Sequence, residues 1–287
     1  MIIGGSKKEV IENIRKNCST KELNKKVETH DPTLNEEELN AALKKYYRIR
    51  KNKYYYFWES RFAYLYLDML GISFNKNVLI EGLENIKDIN GGAIITSNHF
   101  NPLDSMPIRY LIKKRYQKNL YIVIQDTNLA MPGFLGYLMN SLNTIPLLKS
   151  PNYMINTFKP TLKKILHENN YVLIYPEEEM WFNYRLPRPC KRGAYQFAAE
   201  AGVPVISCFV EMIDQKEEDN EEFSKLKYIV HVLKPIYPDP NKSSRENSKI
   251  MSEMDYKQKI EAYENAYHKK LNYKFSYSDI AGYKKKD

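Results

Sequence analysis

Ala93-Ile94-Ile95-Thr96-Ser97 runs directly into Asn98-His99-Phe100-Asn101-Pro102-Leu103-Asp104. The first five residues are a short apolar run with β-branched side chains, which reads as a buried strand. Asn101-Pro102 then favours a turn, and a helix from about Leu103 carries Asp104 in its first turn. Six further runs have the same texture, at 78–81, 120–124, 144–147, 171–175, 203–210 and 228–233. Helical patterns lie between most of them, such as Met154, Phe158, Leu162, Ile165 and Leu166 ahead of the fifth run. This alternation predicts an α/β domain, a mixed sheet flanked by helices.

Upstream the texture is different. The first 30 residues mix charged and apolar groups without a strong period and suggest a peripheral helix. Asp31-Pro32-Thr33 looks like a helix start, with Thr33 and Glu36 spaced as a capping box and Leu39, Leu43 and Tyr46 on one face. Tyr54-Tyr55-Tyr56-Phe57-Trp58 follows, then Phe62, Tyr64, Leu65, Tyr66, Met69 and Leu70, interrupted by Glu59, Arg61 and Asp68. Those charges argue against a membrane-spanning helix, whereas Tyr and Trp prefer the headgroup boundary. Two readings stay open: an amphipathic helix lying on a membrane, or one packed on the domain behind it. The expected organisation is therefore an N-terminal helical segment, 1–75, and an α/β domain, 76–287, ending in a helical tail from Ser244.

Composition narrows the class. At 43% hydrophobic residues the chain can bury a core and does not read as disordered. No window of about 18 uncharged apolar residues occurs, so a spanning helix is not expected. Lys7, Lys8 and Glu9 leave no apolar stretch for a secretory signal, and Ile2 stands where myristoylation needs Gly. Cys18, Cys190 and Cys208 are widely spaced and odd in number, which fits a reducing interior. The net charge of +9 suits an anionic partner: lipid headgroups, nucleic acid or a small anionic substrate.

The chemistry concentrates at the end of the 93–97 run, where ligands of open α/β sheets gather. A turn between His99 and Asp104 can return the carboxylate to the imidazole. That fixes the tautomer and leaves the other ring nitrogen to take a proton from a hydroxyl. An ordinary histidine beside an aspartate favoured by a helix N-terminus has the same spacing, so spacing alone leaves both readings open. Glu177, Glu178 and Glu179 with His99 match no standard metal-ligand set. Cys190, beside Lys191 and Arg192, is a weaker candidate for a covalent nucleophile through a lowered thiol pKa. His30, His167, His231 and His268 lack a comparable neighbourhood and read as structural or exposed.

The ordered set of motifs is more specific. Asn98-His99 followed after four residues by Asp104 resembles the first signature of the glycerolipid acyltransferases, the lysophosphatidic acid acyltransferase family. Gly133-Phe134-Leu135-Gly136 through Asn143-Thr144-Ile145-Pro146-Leu147-Leu148-Lys149 is similar to its second block. Val172-Leu173-Ile174-Tyr175-Pro176-Glu177 resembles the strand into the third, Pro-Glu-Gly-Thr-Arg. Lys191-Arg192-Gly193-Ala194 is similar to the basic Gly-Ala step, and Gly202-Val203-Pro204-Val205-Ile206 to the Val-Pro-Val block. The resemblance covers about 76–235.

The resemblance implies transfer of a fatty acyl group from acyl-CoA or acyl carrier protein to a hydroxyl of a lysophospholipid such as lysophosphatidate. It implies His99 as general base, Asp104 as its orienting partner, and substrate contacts from Asn98, Lys149, Glu177 and Lys191; the longer loop after Glu177 adds Arg185 as an expected contact. A thioester is already activated, so no metal or prosthetic group is expected; nucleic acid is not an expected partner, and the expected location is cytoplasmic, peripheral on the inner face of a membrane. The departures bear on the acceptor. Glu178-Glu179-Met180 stands where the family has Gly-Thr-Arg, and Lys149 stands where arginine is common, losing the bidentate fork. Arg185 or Arg188 are candidates to supply the missing guanidinium. A glycolipid or amine-bearing lyso-lipid acceptor therefore stays open. A non-catalytic basic module binding membranes or nucleic acid, with the 46–58 aromatic stretch stacking bases, is the rival from another class, although no nucleic-acid signature accompanies it.

Overall fold

The computed structural model describes residues 6–29 and 34–285. All seven apolar runs form strands: β1 (Val78–Glu81), β2 (Ala93–Thr96), β3 (Tyr121–Gln125), β4 (Thr144–Leu147), β5 (Tyr171–Ile174), β6 (Val205–Glu218) and β7 (Ser224–Val232). They make one sheet in the order β1-β7-β6-β2-β5-β3-β4. β6, β2, β5, β3 and β4 are mutually parallel, β7 runs antiparallel to β6, and β1 is parallel to β7. The sheet is mixed, as expected. β6 outruns its expected end at 210 because its second half leaves the core. There Asp214 and Glu218 pair with β7 on either side of an irregularity, in a polar ribbon whose sequence has no apolar run to announce it.

The central parallel strands β2 and β5 are buried at every position because both sheet faces are covered there. In β2, Ala93 and Ile95 face one core with Leu173, Ile206 and Val210, while Ile94 faces the other with Val172 and Val205. On the first face lies α4 (Ser105–Tyr116). On the second lie α7 (Lys159–His167) and α8 (Gly193–Ala201), with α9 (Ser244–Tyr267) beyond. α6 (Pro151–Tyr153) enters α7 through a π-helical turn, Met154–Phe158. α5 (Gly133–Ser141) precedes β4.

α9 is fixed from beneath by a buried polar knot. Lys259 Nζ lies 2.5 Å from Asp255 Oδ1 and donates to Thr96 Oγ1 at 3.0 Å and Ser207 Oγ at 3.3 Å. Thr96 and Tyr195 donate to Asp255 Oδ2 at 2.6 and 2.5 Å. Burial alone would raise the Asp255 carboxyl, but the Lys259 ammonium and the hydroxyl donors outweigh it and hold the group below the usual carboxylate range.

Three helices precede the sheet: α1 (Lys8–Ser19), α2 (Glu36–Lys51) and α3 (Lys53–Asn75). α1 is not peripheral. Its Val10, Ile11, Ile14 and Cys18 are buried with Trp181, Phe182, Tyr184 and Leu186 of the chain after β5. The helix start at Thr33 lies outside the described residues; the capping box of α2 is instead Asn35 with Glu38. Along α3, Ala63 and Leu67 pack on Met106, Leu138 and Leu142. Tyr54, Phe57, Trp58, Phe62, Leu65, Met69 and Ile72 stay exposed at helical spacing. No helix among the described residues is long and apolar enough to cross a membrane.

Candidate active site

β2 and β5 are neighbours with Thr96 opposite Ile174. The residues that leave their carboxyl ends, 97–104 and 175–179, therefore emerge side by side. Asn101 and Pro102 turn the chain, and α4 begins at Ser105, two residues after the expected start. Asp104 occupies the N-cap position, but its carboxylate makes no cap bond and turns back into the loop. There Oδ2 meets His99 Nδ1 at 2.7 Å and accepts the Phe100 and Asn101 backbone N–H groups at 2.9 and 3.3 Å. Asp104 is 4% exposed and the His99 side chain 22%. The aspartate is enclosed, while the imidazole reaches the surface with Nε2 free of protein partners among the described residues.

Tyr175 completes the arrangement. Its ring lies on the His99 imidazole with centroids 3.9 Å apart and planes 11° apart. Its hydroxyl donates to Asp104 Oδ1 at 2.5 Å. Burial, then the Asp104 charge, raise the phenol well above its ordinary value, so it stays a donor. Nothing in the motif reading singled out Tyr175. The strand order that sets β5 beside β2 is not written locally in either segment.

The His99 main chain is held by the loop after β5. Glu177 Oε2 accepts the His99 N–H at 3.2 Å, and the Trp181 N–H donates to the His99 carbonyl at 3.1 Å. Glu177 is itself paired with Arg188, whose Nε and Nη2 donate to Oε2 at 3.1 and 2.8 Å. The Arg188 backbone N–H fills Oε1 at 2.9 Å. Both side chains are buried, at 1% and 2% exposure. Arg188 also donates to the carbonyls of His99, Glu179 and Leu23 and lies over the Trp181 ring.

This catalytic-type pair sits within a recognisable unit. The acyltransferase family model matches residues 77–211. That stretch, a little under half of the chain, is similar to the acyltransferase family. A chloroplastic 1-acyl-sn-glycerol-3-phosphate acyltransferase of Brassica napus is 26% identical over 163 residues, 55% of this chain and 44% of that protein. The chain thus matches less than half the length of that relative. The solved 1-acyl-sn-glycerophosphate (LPA) acyltransferase PlsC of Thermotoga maritima aligns with a TM-score of 0.49 at 18% identity, over 81% of this chain and 90% of that one.

Within the matched stretch the expected substrate contacts divide. Glu177 does not face an acceptor: its carboxylate is buried on Arg188 and on the His99 backbone. Asn98 is 2% exposed, and its amide bonds the Val210 N–H and C=O, extending the β2–β6 pairing as a strand residue would. Arg185 is turned away, donating to the Met212 carbonyl and to Asp214 Oδ1, each at 2.5 Å, with its guanidinium over Tyr267. Neither Arg185 nor Arg188 is free to replace the third-block arginine. Lys149 is exposed after the edge strand β4, three strands from β2, or roughly 14 Å at the usual strand spacing. It is not brought to His99. Lys191 is held against the third block by its backbone N–H on the Pro176 carbonyl at 2.7 Å, and its side chain is exposed beside Arg192.

Two subsidiary readings change. The Cys190 thiol is not activated by its basic neighbours: burial, followed by the Asp255 charge, pushes it up to about 12. His231 does have an acidic neighbourhood, with Nε2 2.8 Å from Glu211 and Nδ1 3.4 Å from Glu81, across β1, β7 and β6. His167 rests on the Ala201 carbonyl, and His30 lies outside the described residues. Among the described residues no three His, Cys, Asp or Glu side chains are grouped to hold a metal ion.

Proposed function

We propose that this acyltransferase moves a fatty acyl group from a thioester of CoA or acyl carrier protein to a hydroxyl of a lysophospholipid. The observation that supports it most is the 2.7 Å contact of His99 Nδ1 with the buried Asp104, at a strand end and with Nε2 left open. Nε2 takes the acceptor hydroxyl proton as its oxygen attacks the thioester carbonyl. The tetrahedral species then expels the thiolate, which recovers the proton from the imidazolium. Asp104 keeps the proton on Nδ1 and stabilises the cation while it exists. A thioester is already activated, so the step needs no metal.

Lysophosphatidate is the acceptor that the family and the Brassica napus relative suggest. Lys191 and Arg192, exposed beside the third block, are the cations proposed for its phosphate, since both loop arginines are engaged internally. The exposed Glu178 favours a second reading, an acceptor bearing an amine or no net charge. Acyl transfer assayed by thiol release across phosphate-bearing, amine-bearing and glycosylated lyso-lipids decides between them. Transfer to none of these, or full transfer by a folded His99→Ala protein, removes the reading.

We further propose peripheral attachment at the cytoplasmic leaflet through α3. Phe57, Phe62, Leu65, Met69 and Ile72 are 56–67% exposed, and Lys51 and Lys53 flank them. Exposed aromatic and aliphatic side chains beside basic residues suit an anionic interface. Flotation with anionic liposomes should weaken at high salt and in Phe57→Ser/Trp58→Ser. Binding indifferent to both would remove α3 from that role.

A further inference from the structure

We propose that Tyr175 is a positioning residue for the transfer step: its hydroxyl fixes the rotation of the Asp104 carboxylate and moderates the hold of that carboxylate on His99. The inference rests on the reading of His99 as general base. Its geometry is a closed triangle. Asp104 Oδ2 is occupied by His99 Nδ1 and two backbone N–H groups, whereas the donor on Oδ1 is the Tyr175 hydroxyl. The same tyrosine lies flat on the imidazole.

The two halves of the side chain do different things. The ring restricts the imidazole to one plane, which keeps Nε2 directed outward. Phenylalanine would do this equally well. The hydroxyl is the part that phenylalanine lacks, and it is spent on an oxygen that would otherwise be enclosed without a donor, in a residue 4% exposed. A hydrogen bond donated to a carboxylate stabilises its charge locally and weakens its pull on a neighbouring cation. Tyr175 thereby makes the imidazolium less stable than an unshared aspartate would. A base that gives its proton up again to the departing thiolate gains from that moderation, because over-stabilised imidazolium would slow the return.

Other charged and titratable groups face the pair and are unchanged by altering Tyr175. From the loop after β5 come Glu177 on the His99 N–H and Arg188 on the His99 carbonyl. From α4 comes Arg109, whose charge acts on Tyr175, and from β7 comes Tyr228, whose phenol feels Asp104.

The test is Tyr175→Phe, which deletes one oxygen and keeps the ring. The His99 imidazole is titrated by NMR in the unliganded protein, and kcat/KM is followed against pH. In Tyr175→Phe the imidazole midpoint and the acid limb of kcat/KM should both move to higher pH, by about half to one unit. In an Asp104→Asn background the same substitution should move the midpoint by nothing measurable, since the effect travels through the carboxylate. An unmoved midpoint in Tyr175→Phe overturns the proposal, as does a shift of equal size in the Asp104→Asn background. The NMR titration is independent of turnover. Failure of the acyl-transfer reading is seen separately, as undiminished transfer by His99→Ala.

Discussion

Glu177 holds His99 by its backbone: the buried carboxylate accepts the His99 N–H at 3.2 Å. Arg188, the partner of that carboxylate, donates to the carbonyl of the same histidine at 3.4 Å. An ion pair thus brackets one residue from both ends of its main chain, while Asp104 and Tyr175 fix its side chain. Removing one member of a buried pair leaves the other charge uncompensated, at a cost of about 3–5 kcal/mol. Glu177→Gln should therefore lower the thermal midpoint clearly and reduce kcat more than it changes the acceptor Michaelis constant. A raised Michaelis constant with unchanged kcat and stability would return Glu177 to acceptor binding.

His99→Ala and Asp104→Asn should each lower kcat/KM by about 10² to 10⁴, with circular dichroism unchanged. The amide of Asp104→Asn can donate to Nδ1 and select the wrong tautomer. Turnover within a few-fold of the unaltered protein would reduce the pair to an ordinary structural contact.

Arg185 illustrates how a charge in the right stretch of sequence can serve another purpose. Its guanidinium is occupied by Asp214 and the Met212 carbonyl. With Asp214 half exposed, that ion pair contributes on the order of 1 kcal/mol at most. Arg185→Ala should cost a modest amount of stability and leave the Michaelis constant for a phosphate-bearing acceptor unchanged. A ten-fold rise would mean that the side chain swings to the headgroup when substrate binds.

The strands were legible as short apolar runs, most with helical patterns beside them, and in β2 and β5 burial on both sheet faces demands that composition. His99 and Asp104 were legible because their contact is local, made through one turn. Arg188 and Tyr175 were harder to place. Their roles depend on which strands are neighbours and on where an irregular loop folds back, and no periodicity records either. Asn98 shows the converse. It sits inside the signature, yet its amide is spent on Val210, because a buried strand end needs its backbone groups satisfied.

The Asp255–Lys259 knot was equally hidden, since polar residues on a tail helix look solvent-exposed in sequence. Lys259→Met should destabilise by about 3–5 kcal/mol, and Asp255→Leu/Lys259→Met should recover much of that loss. The Asp255 carboxyl is held below its unfolded value. Its contribution is therefore fully present above pH about 4 and is lost as pH falls through the folded value. Denaturant melts at pH 7 and pH 3 should differ less in the double variant than in the unaltered protein. An equal pH dependence would place the acid-sensitive group elsewhere.

Glu178 tests what the altered third block is for. It occupies the position at which the family signature has glycine, and its backbone has φ of +65°, the left-handed region in which a side chain is strained. That turn holds its shape, since the Glu178 N–H still bonds the Tyr175 carbonyl at 3.1 Å. The carboxylate is exposed and makes no ion pair or hydrogen bond among the described residues. A side chain kept at a cost of about 1–2 kcal/mol, without a structural partner, fits a contact with substrate. Glu178→Gly and Glu178→Gln separate the two effects. Glycine relieves the backbone and removes the charge; glutamine removes the charge alone. Glycine should raise the thermal midpoint and glutamine should leave it nearly unchanged. If the carboxylate reads a cationic headgroup, both should weaken binding of an amine-bearing acceptor by about ten-fold or more, as the loss of a charge-assisted contact requires. Both should spare or improve use of a phosphate-bearing one, because a like charge has been removed. Equal kinetics for the three proteins on both acceptors would show that this carboxylate does not touch the headgroup.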